Sequence, residues 1–100
     1  MSNILLEIVV SAGEAAAQGI TSRDEMEDPL EAALAVAGVG EVTGGGGGSG
    51  VFILDVEVAS EEAMEPALAV IRGVLQDLKV PRSTVIKRQR PSQIVFPVYV

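Results

Sequence analysis

Residues 51–80, VFILDVEVASEEAMEPALAVIRGVLQDLKV, join a strand pattern to a helix pattern across one capping signal. In Val51–Val58, Phe52, Leu54, Val56 and Val58 fall on one face and Val51, Ile53, Asp55 and Glu57 on the other, the two-residue period of a strand. Ser60 reads as the cap of the next helix, with Glu61 and Glu62 where the positive end of the helix dipole favours them. Met64, Ala67, Leu68, Ile71, Val74, Leu75 and Leu78 then recur at spacings of three and four, the stripe of an amphipathic helix. Pro66 is early enough in it to be tolerated, and Val80-Pro81 ends it.

The N-terminal half reads as the same unit. Ile4 to Val10 is β-rich and apolar on both faces apart from Glu7, which predicts a central strand. Residues 11–21 read as a connection with a helical turn at Glu14–Gln18. Two capping signals follow, Ser22-Arg23-Asp24-Glu25 and Asp28-Pro29-Leu30-Glu31. The second predicts the main helix over 29–37, ended by Gly38, because Pro29 inside a helix begun at Ser22 removes a hydrogen bond. Glu41 to Thr43 reads as a short strand entering a wide glycine-rich turn, Gly44 to Gly50, that leads to Val51–Val58. Thr84 to Lys87 reads as a further strand, followed by a basic turn, Lys87-Arg88-Gln89-Arg90-Pro91. The last stretch, Ile94 to Val100, holds Pro97 and so belongs at an edge or bulge. The order predicts one domain over residues 1–100: an α+β, ferredoxin-like βαββαβ sandwich. Its antiparallel sheet carries two helices on one face and an extra C-terminal strand.

This order resembles that of the amino-acid-binding regulatory domains and the trimeric nitrogen-signalling proteins. The resemblance runs along the whole chain at the level of element order. It implies the fold, and no site residues, since no residue motif of either group maps onto this chain.

The inventory removes several chemistries. The 100 residues contain neither cysteine nor histidine, which excludes disulfide frameworks, thiolate or imidazole metal sites, and Ser-His-Asp or Cys-His catalysis. The three aromatics, Phe52, Phe96 and Tyr99, offer few stacking platforms. No apolar run is long enough for a membrane span, and no signal peptide is visible, so the expectation is a soluble, cytoplasmic protein. Of 14 acids, 13 lie in residues 1–65 with the single base Arg23. Residues 66–100 hold Asp77 and six bases, so the net −7 divides into −12 and +5. Such a division favours pairing within the fold or between copies.

The strand periods assign a sheet face turned away from the helices, and its expected interaction surface is Glu7, Val51, Ile53, Asp55, Glu57 and Lys87. Half of that face is apolar, which predicts a cover; a homodimer is favoured, with a protein partner as a further expectation. Lys87 is expected to neutralise Glu7, Asp55 and Glu57 by ion pairing. Gly44, Gly45, Gly46, Gly47 and Gly48 are expected to form a flexible loop. They lead into a strand, with no Lys-Ser/Thr after them, and so do not make a phosphate loop. The acids Asp24, Glu25, Glu27, Asp28 and Glu31 lack the spacing of a calcium loop and read as solvated capping charges. Arg82, Lys87, Arg88 and Arg90 lack the stacking aromatics of a nucleic-acid contact. No catalytic residue, metal or cofactor is therefore assigned. The expected function is a small, non-enzymatic interaction or regulatory domain acting through self-association. The alternative is a ligand-sensing module with a site under the Gly44–Gly50 hairpin at a subunit interface.

Overall fold

The computed structural model describes residues 4–90 and 93–99, with only the backbone described at Arg90. Pro91 of the basic turn and Val100 of the last apolar stretch lie outside the described residues. The elements are β1 (Ile4–Ser11), α1 (Ala12–Ala17), α2 (Asp24–Ala37), β2 (Gly40–Gly48), β3 (Val51–Val58), α3 (Met64–Asp77), β4 (Val85–Arg90) and β5 (Ile94–Pro97). The strands form one sheet in the order β2-β3-β1-β4-β5. Every neighbouring pair is antiparallel. This is the ferredoxin-like α+β plan with β5 added at one edge and the short α1 after β1.

The core lies between one sheet face and the helices. Leu6, Ile8 and Val10 of β1 and Leu54, Val56 and Val58 of β3 are sealed there against Met26, Leu30 and Leu34 of α2 and Ile71 and Leu75 of α3. The alternation read in β1 and β3 is the alternation observed: apart from Phe52, which is half-buried, residues facing the helices are buried, and those between them are half-buried.

Helix α2 departs from the sequence expectation. It starts at Asp24 and carries Pro29 inside it. Glu25 decides this start, because its Oε2 accepts the N–H groups of Thr21 and Ser22, each at 2.9 Å. The earlier start also buries Met26 completely. Pro29 is exposed, so its missing bond falls on the solvent side and one lost hydrogen bond is outweighed by the cap and the buried methionine.

The same cap has a pH signature. The backbone N–H of Thr21, then that of Ser22, hold the Glu25 carboxyl below the ordinary carboxylate range. A group whose pKa is lowered by folding adds stability above its unfolded pKa, and that stability is lost as pH falls through the folded value. Glu25→Gln is therefore expected to lower the melting temperature at neutral pH. The gap to the wild type closes as both are titrated into the acid range, and thermal melts across that range check it.

The glycine-rich segment is strand for most of its length. Gly44 to Gly48 belong to β2 and pair with β3, so the chain reverses later than expected, at Ser49-Gly50. Ser49 and Gly50 both have positive φ, 52° and 79°, as the two central residues of a type I′ hairpin turn require. A bulge between Val42 and Gly44 shifts the β2–β3 register.

The C-terminal stretch extends the sheet through β5 and does not fold over the open face. Beyond β5, Val98 is buried; Gln76 Nε2 donates to Val98 O at 2.8 Å and Arg72 Nε to Pro97 O at 3.0 Å, which ties this segment to α3. The Tyr99 hydroxyl donates to Val80 O at 2.6 Å. Among the described residues no helix is long and apolar enough to cross a membrane.

Candidate functional site

The open sheet face brings together all six residues expected on it. Antiparallel register sets Glu7 of β1 directly across from Asp55 of β3 on one side and Lys87 of β4 on the other. Glu57 stands across from Leu5, Ile53 from Val9 and Val51 from Ser11. Each is half-buried. The face is thus a band of charge, Asp55-Glu7-Lys87, beside an apolar band formed by Ile53, Val9 and Val85. Toward β2 the side chains stop: Gly44 lies opposite Asp55 and Gly46 opposite Ile53.

The expected neutralisation of the acids by Lys87 does not occur. Among the described residues the ion pair present is Arg23–Glu27 at 3.7 Å, on α2. Glu7 instead accepts a hydrogen bond at its Oε1 from Gln89 Nε2 at 3.2 Å, and Gln89 Oε1 accepts from Gln93 Nε2 at 3.2 Å. The cause is the irregular register between Leu5 and Leu6, which leaves Gln89 as an extra residue in β4 and turns its amide toward Glu7. Of the basic group, Arg82 lies over the Tyr99 ring, 4.7 Å from its centroid.

A cavity of about 460 Å³ opens at the β2 end of the same charged region. Its walls are Ala35 and Gly38 at the end of α2, Gly40 and Glu41 of β2, and Glu57, Val58 and Ala59 at the end of β3. Glu41 and Glu57 are register partners, so a pair of acidic residues stands at the cavity's edge. The last turn of α2 contains no basic residue and ends on Gly38 in the left-handed conformation, so the negative end of its dipole points the same way. The cavity is in the size range of small-molecule sites. Among the described residues no three acidic side chains converge to hold a metal ion. The acids Glu41, Glu57, Asp55 and Glu7 are instead strung out from the cavity to Lys87, an arrangement that suits an extended organic cation.

The cavity, Glu41 and the Gln93–Gln89–Glu7 relay are absent from the sequence reading. One signal points to Glu41: if Ser49-Gly50 is taken as the turn, counting back along both strands brings Glu41 near Glu57. A bulge is invisible in a run of glycines, and it shifts that count by one.

No protein-family model and no curated protein matches the chain. Among solved structures, a phage SAM lyase in complex with S-methyl-5′-thioadenosine shares the fold, with a TM-score of 0.57 and 16% identity. The likeness covers 94% of this chain and 87% of that one. That finding overturns the expectation of a non-enzymatic interaction or regulatory domain, and with it the ligand-sensing alternative. An enzyme is built on this fold across nearly its whole length. The step from missing histidine and cysteine to no enzyme also fails on physical grounds. A reaction whose leaving group departs uncharged needs no proton donor, and orientation alone supplies a large share of many rate enhancements.

Proposed function

We propose that the chain is an enzyme of the lyase class that binds a sulfonium nucleoside such as SAM and releases the neutral thioether S-methyl-5′-thioadenosine. The observation that carries this reading is the line of acids Glu41, Glu57, Asp55 and Glu7, none of them ion-paired among the described residues, set on the open face beside a nucleoside-sized cavity. Glu57, Asp55 and Glu7 are half-buried and Glu41 is exposed; a partly buried carboxylate without a counter-charge is costly, and a bound cation offsets that cost. The fold shared with the phage SAM lyase supports it.

The chemistry needs little from the protein. As the C–S bond breaks, its electron pair stays with sulfur, which leaves as the neutral thioether. The carbon it leaves bonds to an oxygen of the substrate's own carboxylate, closing a five-membered ring. No proton moves and no co-reactant enters, so the protein's part is to hold the substrate folded with these atoms in line. After cleavage the sulfur carries no charge, the acids lose their hold on it, and the product departs.

An open sheet face buries a ligand only partly. In this reading a second copy of the chain lies over the apolar band, Val9, Val51 and Ile53, and shuts the site from water. The cysteine-free chain suits the reducing cytoplasm. Incubation with SAM, followed by chromatography for S-methyl-5′-thioadenosine, tests the reading, with light scattering of the same sample expected to give the mass of two chains. Release faster than in protein-free buffer supports it. A rate equal to that of buffer, together with no binding of SAM at millimolar concentration, overturns it.

A further inference from the structure

We infer that Lys87 is the carboxylate-binding end of this site, so that the protein selects nucleosides bearing an amino-acid chain over the same nucleosides without one. The inference rests on the reading above and adds to it which part of the substrate is recognised, and by what.

Among the described residues the Lys87 side chain makes neither an ion pair nor a hydrogen bond, although Glu7 is its register partner on the adjoining strand. Adjoining strands lie roughly 4.8 Å apart, well within reach of a lysine. Glu7 Oε1 instead accepts from Gln89 Nε2, and Gln89 Oε1 accepts in turn from Gln93 Nε2. Lys87, a half-buried residue, is thus left without an ion-pair partner among the described residues.

A second cavity, of about 160 Å³, opens against it between β4 and β5, lined by Lys87, Arg88, Gln89, Gln93, Ile94 and Val95; Arg88 stands in register with Leu6, whose side chain faces the core, so Lys87 is the base on the open face. This second cavity is about a third the size of the cavity at the β2 end, a scale that suits an amino-acid head group better than a nucleoside. Lysine is a compact point charge, suited to a single carboxylate oxygen.

The order of charges supplies the rest. From the large cavity the face runs through Glu57, Asp55 and Glu7 to Lys87, negative and then positive. A sulfonium nucleoside with an amino-acid chain presents the complement in the same order: nucleoside, sulfonium, then carboxylate at the far end. Lys87 therefore sets the direction in which the substrate lies, a positioning role for the group that closes the ring.

Two thioethers isolate this contact, because S-adenosylhomocysteine and S-methyl-5′-thioadenosine differ only by the amino-acid chain and neither is cleaved as a sulfonium. Calorimetric titration is expected to show that the wild-type protein prefers S-adenosylhomocysteine. Lys87→Met weakens that ligand by roughly 10- to 100-fold, leaves S-methyl-5′-thioadenosine unchanged within about twofold, and Lys87→Arg restores the preference. Lys87→Met keeps the unbranched apolar stem, and its fold is read by circular dichroism. If Lys87→Met weakens both ligands alike, or the wild type shows no preference while still cleaving SAM, this inference fails and the lyase reading stands. A wild type that neither cleaves SAM nor binds either thioether overturns both.

Discussion

Neutralising two carboxylates together, Glu7→Gln with Asp55→Asn, is expected to weaken SAM binding about 100-fold while leaving S-methyl-5′-thioadenosine nearly unaffected. The two groups face each other across the β1–β3 pair, and no cation among the described residues balances them. Each charge-assisted contact is worth about 1.5–3 kcal/mol when well placed, and half-exposure discounts that toward the lower end. Two contacts at that end give about two powers of ten. The loss should fall on KM and not on kcat. The sulfonium charge is present in the ground state and fades as the C–S bond breaks, so these carboxylates bind substrate more than transition state. Raising the salt concentration should shrink the difference between wild type and variant, since the face is open enough to be screened. Equal losses for SAM and for the neutral thioether in titrations of both would mean that the carboxylates do not read charge, and the proposed orientation would be wrong.

The second large effect is structural. Gly45→Ala is expected to destabilise the fold by about 2–4 kcal/mol, a large fraction of the 5–15 kcal/mol typical of a domain. Gly45 has φ of +146°, and a Cβ there would collide with the backbone oxygen of Ile53 and stand 2.7 Å from Arg23 Nη1. Arg23 can move; the carbonyl of a paired strand cannot. Its neighbour behaves oppositely. A Cβ on Gly46 meets nothing within 4 Å, so Gly46→Ala should stabilise by roughly 0.5–1 kcal/mol by restricting the unfolded chain. Urea unfolding of both variants checks the contrast. Two adjacent glycines in one run thus have different reasons to be there, and only Gly45 is required by the backbone.

How much of this was legible depended on whether the signal was local. The alternation in Ile4–Val10 and Val51–Val58, and the stripe from Met64 to Leu78, follow from the period of each element and needed no partner to be read. The start of α2 was not legible in the same way. Two caps competed, and what favoured the earlier one was Met26, whose complete burial depends on a sheet and a second helix that no local window contains. Gly44 to Gly48 misled for a related reason: glycine has the weakest strand preference, and pairing with β3 overrode it.

The site shows the same division. Which residues share the open face followed from parity alone, because side chains alternate strictly along a strand, and so Glu7, Asp55, Glu57 and Lys87 could be gathered from the sequence. Whether Lys87 meets Glu7 could not. That rests on one irregular step between Leu5 and Leu6 that brings Gln89 to the carboxylate in place of the ammonium. The cavity between the end of α2 and the paired Glu41 and Glu57 likewise exists only once helix and hairpin are docked. The sequence by itself determined the elements, their order and the face each side chain takes, since these depend on the period of a single strand or helix. Only the tertiary structure decided register, the bulges and which charges remain unpaired, because these depend on contacts between segments that lie far apart along the chain.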